Sequence, residues 1–166
     1  QAGCVTFFLK MYRHGPDVST GFGLLNCVRQ LMTLPRLTVT DELFAWIDDA
    51  LSREVPERTA AFHFNLYEGI DSVHIQLMGT DAFETGEVPE RDYWPGAETF
   101  STGEDIFEIP FEVAGSDWKQ WLVTCVDMLR SYIATGCNSG VLRSSNGVGV
   151  GFVDGDMYVL WQPGVT

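Results

Sequence analysis

The sequence predicts an α+β fold, an antiparallel sheet with helices packed on one side. Two stretches of alternating apolar residues, 62–66 and 73–77, flank a turn near Gly69 and predict a β-hairpin. A second hairpin is predicted from Gly147 to Trp161, and Asp117–Thr135 carries apolar side chains at helical spacing. Strands joined by hairpins favour antiparallel pairing, which leaves one face of the sheet for the helices.

The predicted elements follow one another in the order β-α-α-β-β-loop-β-α-β-β. Val5–Tyr12 is rich in β-branched and aromatic residues and predicts the first strand, and a helix is expected to end before Pro35. Thr40 is expected to cap the second helix. The apolar stripe of that helix consists of Leu43, Phe44, Ile47 and Leu51. A chain of 166 residues suits a single domain spanning 1–166.

Turn and cap residues predict how the C-terminal elements begin and end. A strand is expected over Ile106–Val113, at an edge or a bulge because Pro110 lacks an N–H group. Ser116 or Asp117 can cap the long helix, and Gly136 can end it in the left-handed conformation. Asp154-Gly155 is the expected turn of the last hairpin, with positive φ at both positions. This turn would pair Gly149 with Leu160 and Gly151 with Tyr158, leaving a glycine face that another element or a ligand could approach.

The charge of the chain restricts the partners it can bind. It has 23 acidic and 10 basic residues and a formal net charge of −13. Such a surface repels nucleic acids and anionic lipids and attracts basic proteins, although an acidic surface also serves solubility alone. No apolar run approaches the roughly 18 residues that a membrane-spanning helix needs. We therefore expect a basic protein partner, with no nucleic-acid or membrane binding.

The acidic residues are concentrated in one segment, 81–108. It contains nine acidic residues and one basic residue, Arg91, which gives −8 of the total charge. Aromatic residues are spread through it, and its glycines and prolines indicate loops and turns. Aromatic side chains can anchor a protein interface while carboxylates accelerate the encounter with a basic partner. The alternative is a solvated loop whose aromatic residues fold back onto the core.

The three histidines do not form a recognisable catalytic set. With a turn near Gly69, His63 would face Gln76 and His74 would face Asn65, and two neighbouring imidazoles could bind a metal, but no third ligand is suitably spaced. His14 lies near Asp17 in a loop, where an acid–base pair is conceivable, but no nucleophile is linked to it by a known motif.

The sequence therefore predicts neither catalysis nor a metal or cofactor. Arg13-His14-Gly15 is similar to the phosphate-binding motif of histidine phosphatases, whose further arginines and second histidine cannot be placed here. The glycine-rich run 147–151 lacks the spacing of a nucleotide-binding loop. The alternative that remains open is a small enzyme or ligand-binding domain that uses His14, or His63 with His74, in a pocket beside the sheet.

The four cysteines indicate a reducing compartment. Cys4, Cys27, Cys125 and Cys137 are irregularly spaced and include no CxxC pair. Buried thiols outside disulfides are the expected state, and Cys125 falls on the apolar face of the predicted long helix. We accordingly expect a cytoplasmic location.

The C-terminal third of this small, acidic chain contains a tryptophan-rich helix, DWKQWLVTCVDMLRSYIATG, followed by a glycine-rich hairpin, GVGVGFVDGDMYVLW. In these features it resembles the immunity proteins of bacterial polymorphic or contact-delivered toxins. The resemblance implies a protein that binds and occludes a cognate toxin, often a basic nuclease. If it holds, the contact surface is expected to include Glu84, Glu87, Glu90, Asp92, Tyr93 and Trp94.

Overall fold

The computed structural model describes residues 37–83 and 96–164. The strand predicted over Val5–Tyr12 and the helix predicted before Pro35 lie outside these ranges, so a single domain spanning 1–166 stays a prediction. The described elements, in chain order, are α1 (Val39–Ser52), β1 (Ala61–Glu68), β2 (Ser72–Thr80), β3 (Glu98–Ser101), β4 (Phe107–Pro110), α2 (Phe111–Ala114), α3 (Trp118–Thr135), α4 (Ser139–Arg143), β5 (Val148–Phe152) and β6 (Tyr158–Trp161). Within these ranges, no helix is both long and apolar enough to cross a membrane.

The strands form one six-stranded, mostly antiparallel sheet with helices on one side, which confirms the predicted α+β fold. The strand order is β3-β2-β1-β5-β6, and β4 also pairs with β2. The parallel pair is β1 with β5. Among the described residues, three further strands and three helices lie between β1 and β5 along the chain. Such a long connection permits parallel pairing, which a tight turn between adjacent strands does not.

The first hairpin forms as predicted, but its register differs by two residues. Gly69 N–H donates to the Ser72 carbonyl (2.8 Å), so the turn centres near Ile70 instead of Gly69. His63 consequently faces Met78, and His74 faces Tyr67. A shift of two leaves every side chain on its predicted face. The apolar face is therefore buried as expected, and it consists of Phe62, Phe64, Leu66, Val73, Ile75 and Leu77.

Helix α1 begins two residues earlier than predicted. Thr38, not Thr40, is its N-cap: Asp41 N–H donates to Thr38 Oγ1 (3.2 Å) and Thr38 N–H donates to Asp41 Oδ2 (2.9 Å). This reciprocal capping box requires an acceptor three residues after the cap, and Asp41 meets that requirement only for Thr38. The inward-facing residues of the helix pack on the sheet, and the fully or nearly fully buried ones are Leu43, Ile47, Ala50 and Leu51.

Helix α3 is the longest helix of the described residues and supplies much of the core. Asp117 caps it, as predicted, by accepting the N–H groups of Lys119 (2.9 Å) and Gln120 (3.1 Å). Gly136 ends it but is not left-handed, since its φ is −61°. A Cβ atom at Gly136 would lie 2.3 Å from the Tyr132 ring, so close packing explains the glycine. The buried residues of α3 are Trp121, Leu122, Cys125, Leu129, Tyr132 and Ile133.

The chain between β4 and α3 differs from the predicted long strand. Strand β4 lies at an edge of the sheet, as Pro110 indicated, and ends at that proline. The following four residues form the short helix α2, and Phe111 N–H donates to the Asp71 carbonyl (3.0 Å). Proline cannot donate a ladder hydrogen bond, and its fixed φ suits the residue at the start of a helix.

The second hairpin pairs β5 with β6, but the predicted register holds at one position. Val148 faces Trp161 as expected, whereas Gly149 faces Val159 and Val150 faces Tyr158. An irregularity adds Leu160 to β6 and shifts the rest of the pairing. The turn centres on Val153 and Asp154, one residue before the predicted Asp154-Gly155 pair, because Gly155 N–H donates to the Phe152 carbonyl (2.9 Å). Neither Asp154 nor Gly155 has the predicted positive φ.

Candidate functional site: an acidic, aromatic groove

The six residues expected to contact a partner lie outside the described residues, and so does His14. Glu84, Glu87, Glu90, Asp92, Tyr93 and Trp94 all fall between residues 83 and 96. Their role in partner binding therefore stays a prediction. The groove described below is formed by other residues.

His63 and His74 do not form a pair across the hairpin. The His63 side chain is 4% exposed, and burial lowers its pKa from 6.5 to about 4, so it is uncharged at neutral pH. His74 lies four positions along β2 from Met78, the residue that faces His63. Its Nε2 is 3.1 Å from Ser72 Oγ and 3.9 Å from Glu108 Oε1. Among the described residues, no group of three histidine, cysteine or acidic side chains could hold a metal ion.

The predicted glycine face of the second hairpin is partly filled by the chain itself. A Cβ atom at Gly151 would lie 2.7 Å from the Asp156 carbonyl oxygen. At Gly147, it would lie 2.2 Å from the Phe83 ring. Both glycines are therefore needed for close packing within the protein, and at these positions the face is not open to a ligand.

An open groove lies between the start of α3 and the turn of the second hairpin. Its volume is about 760 Å³. That volume is within the range of small-molecule and peptide-binding clefts. The groove is lined by Glu68, Trp118, Trp121, Leu122, Phe152, Asp154, Gly155, Asp156 and Tyr158. We refer to these nine residues as the groove.

Two of the groove's aromatic residues are exposed and one is held rigidly. Trp118, in the first turn of α3, is 55% exposed, and Tyr158, at the start of β6, is 45% exposed. Trp121 is stacked on Phe111 with a centroid distance of 4.5 Å and an interplanar angle of 3°, and its indole N–H donates to the Gly115 carbonyl (2.8 Å). These two contacts fix one wall of the groove before any ligand arrives.

The polar part of the groove is entirely acidic. Glu68 ends β1, and Asp154 and Asp156 flank the turn glycine of the second hairpin, so three separate backbone positions bring carboxylates to one cleft. All three residues are exposed. In the part of the chain that the structure describes, none of them forms an ion pair, and no basic residue lines the groove. The negative charge of the groove therefore favours the binding of cations.

A cation already contacts the groove's exposed tryptophan. The Lys119 ammonium lies 5.5 Å from the centroid of the Trp118 ring, within the range of a cation–π interaction. Lysine is attracted to the ring by the negative potential of the π face, which would attract the cation of a ligand in the same way. Exposed aromatic rings and unpaired carboxylates in one cleft are suited to binding organic cations.

Sequence reasoning missed this groove for identifiable reasons. The apolar stripe predicted over Asp117–Thr135 implies a buried Trp118, which is wrong because Trp118 lies in the first turn of α3, at the end of the packed face. In the sequence alone, a hairpin turn is a sufficient explanation for Asp154 and Asp156, so neither residue indicates a binding site. Their approach to Trp118 and Glu68 depends on the packing of α3 beside β6, which no local pattern predicts.

Comparisons with known proteins found no similarity that bears on this site. No protein-family model, no curated protein and no solved structure matches the chain.

Proposed function

We propose that this protein is a non-catalytic inhibitor that binds a basic protein through an acidic, aromatic surface. The observation that carries the proposal is the groove, in which exposed Trp118 and Tyr158 lie beside three carboxylates without ion-pair partners among the described residues. Large aromatic side chains commonly contribute most of the binding energy of protein interfaces. The net charge of −13 adds a long-range attraction for a basic partner.

The more specific proposal is a cytoplasmic immunity protein that neutralises a bacterial toxin. It is supported by the resemblance of the helix–hairpin segment 117–161 to such proteins, and by an acidity that complements a basic nuclease. In this proposal the acidic segment, including Glu87, Glu90 and Asp92, also takes part in binding the basic partner. Occlusion of the toxin's active site requires a stable complex and no chemistry from the inhibitor.

The experiment that tests the proposal is capture of a partner followed by measurement of that partner's activity. The purified protein is used as bait in a lysate of the organism that carries the gene, at about 50 mM and about 500 mM salt. We expect one basic protein in a one-to-one complex that weakens at high salt, because salt screens exposed charges. The proposal further requires that the captured protein is toxic or enzymatically active and that this activity is lost in the complex.

The contribution of the acidic segment is tested by association kinetics with that partner. The triple variant Glu87→Gln, Glu90→Gln, Asp92→Asn is expected to associate about tenfold more slowly at low salt, because electrostatic steering is reduced. The control variant Glu54→Gln, Glu57→Gln, Asp127→Asn removes the same charge from exposed residues outside both the groove and the acidic segment. Equal association rates for the two triple variants would show that this segment is not part of the binding surface. A partner that stays active in the complex would contradict the inhibitor proposal itself.

A further inference from the structure

We propose that the groove binds an arginine side chain presented by a protein partner. This inference deepens the proposed function, on which it rests for the nature of the partner. The structural basis is the juxtaposition of Trp118 and Tyr158, both exposed, with the carboxylates of Glu68, Asp154 and Asp156 in one open cleft.

The aromatic residues of the groove suit a guanidinium group. A guanidinium is planar and weakly hydrated, so it stacks on tryptophan and tyrosine rings at a lower desolvation cost than an ammonium. The contact between Lys119 and Trp118 shows that a cation of this chain already approaches one of the rings. An incoming arginine would meet a wall whose position is fixed by the Trp121–Phe111 stack.

The carboxylates of the groove supply the hydrogen-bond acceptors that arginine requires. A guanidinium carries five N–H donors in a fixed plane and pairs with carboxylates in a bidentate manner. Glu68, on β1, and the two aspartates of the β5–β6 turn present three such acceptors. A lysine ammonium lacks the planar donor arrangement, so the groove should favour arginine.

The size and openness of the groove favour a side chain on a larger molecule. A volume of about 760 Å³ exceeds the space that one arginine side chain fills, so several neighbouring residues of the partner can enter with it. The exposed fractions of Trp118 and Tyr158 show that the cleft is open to solvent and can admit a protein loop. A protein loop bearing one arginine is therefore the occupant that we assign to the groove.

The test uses a pentapeptide probe and the isolated protein. The probe is acetyl-Gly-Gly-Arg-Gly-Gly-amide, compared with the same peptide containing citrulline, which is nearly isosteric and neutral, and with the lysine peptide and free arginine amide. Binding is measured by calorimetry and by the NMR shift of the Trp118 indole N–H, assigned with Trp118→Phe. We expect the arginine peptide to bind at least about tenfold more tightly than the citrulline peptide, and more tightly than the lysine peptide and arginine amide.

Variants of the groove locate the binding. Trp118→Ala is expected to weaken arginine-peptide binding about tenfold through loss of the cation–π contact. Asp154→Asn with Asp156→Asn is expected to weaken it by a similar factor, because asparagine retains turn geometry but has no charge. Lys119→Met should strengthen binding, since it removes a competing or repelling cation. The charge-matched control is Glu57→Gln with Asp127→Asn, which removes two exposed carboxylates outside the groove and should leave binding unchanged.

Each contrary result has a definite meaning. Equal binding of the arginine and citrulline peptides, or equal affinity of the two double variants, overturns the cation site. If the lysine peptide binds as tightly as the arginine peptide, the proposed preference for arginine over lysine is wrong. If free arginine amide binds as tightly as the arginine peptide, the proposal that the arginine belongs to a protein loop is wrong. If the arginine peptide binds but no partner is inhibited, the inhibitor proposal is wrong and the proposal that the groove binds arginine is retained. If a partner is inhibited equally by the wild type and the groove variants, the groove does not bind the partner and the inhibitor proposal is retained.

Discussion

A hydrogen-bond network around Asp48 joins α1 to the C-terminal end of α3. The Tyr132 hydroxyl, on a side chain with no exposed surface, donates to Asp48 Oδ1 (2.5 Å). The same carboxylate oxygen accepts the Asn138 backbone N–H (2.8 Å), and Asn138 Nδ2 donates to the Asp48 carbonyl (2.8 Å). Two helices and the connection after α3 therefore depend on one half-buried carboxylate.

Tyr132→Phe is expected to lower the free energy of unfolding by about 2 kcal/mol. A hydrogen bond to a charged group contributes roughly 1.5–3 kcal/mol, and the lower half of this range applies because Asp48 retains Asn138 and some access to water. The ring is retained and with it the edge-to-face contact with Phe44, at a centroid distance of 5.2 Å. No cavity is created, so the hydrogen bond is the main interaction that the substitution removes.

The assay is urea unfolding followed by tryptophan fluorescence. With an m-value of about 2 kcal/mol per M, the midpoint should fall by about 1 M. The matched control is Tyr67→Phe, in which a hydroxyl that donates to Gln76 Oε1 (2.8 Å) is lost from an exposed tyrosine. We expect that control to change the free energy of unfolding by less than about 0.5 kcal/mol. Equal midpoints for Tyr132→Phe and the wild type would refute the argument that this network stabilises the fold.

The same substitution should change the response to alkaline pH. Burial, together with the hydrogen bond to Asp48, raises the pKa of Tyr132 above its usual value of 10.0. Because the unfolded chain then releases this proton at a lower pH than the folded protein, the stabilisation is complete below pH 10 and is lost as pH rises above it. The stability of Tyr132→Phe should therefore decline less steeply above pH 10 than that of the wild type. A decline of equal slope would contradict a buried, protonated Tyr132.

Two further predictions concern His63 and Gly136. Burial lowers the pKa of His63 from 6.5 to about 4. The contribution of the neutral imidazole to the free energy of unfolding is therefore fully present above pH 6.5, and up to roughly 3 kcal/mol of it is lost as the pH falls towards 4. His63→Gln should remove much of this acid dependence in urea unfolding, and an acid dependence as steep as that of the wild type would refute the assignment. Gly136→Ala should destabilise the fold by about 1–3 kcal/mol, because its Cβ would meet the Tyr132 ring at 2.3 Å. An unchanged melting temperature for Gly136→Ala would show that the ring moves aside at little cost.

The fold was predictable from the sequence where apolar residues recur at a regular spacing along a whole strand or helix. The alternation in β1 and β2 and the α3 stripe predicted the layered α+β arrangement, because burying one face of each element leaves few other solutions. Boundaries and registers were less predictable. Helix α1 is capped by Thr38 instead of Thr40, and the first hairpin turns near Ile70 instead of Gly69, because one or two local hydrogen bonds decide each of these positions.

The groove could not be predicted, because it depends on contacts between distant parts of the chain. Residues of β1, α3 and the β5–β6 hairpin meet there, and the parallel pairing of β1 with β5 sets where Glu68 lies relative to the turn. No local pattern encodes that pairing. The same is true of Asp48, whose partners Tyr132 and Asn138 are 84 and 90 positions away. By contrast, the expectation of a basic partner followed directly from the net charge of −13.

An activity titration tests most directly whether the acidic, aromatic surface blocks a basic protein. The captured partner is held at a fixed concentration well above the dissociation constant, and its activity is followed as the wild type is added. We expect a linear loss of activity that reaches completion at one equivalent, and a dissociation constant at least about tenfold higher for Trp118→Ala than for the wild type. Full partner activity in the presence of excess wild-type protein would contradict this expectation.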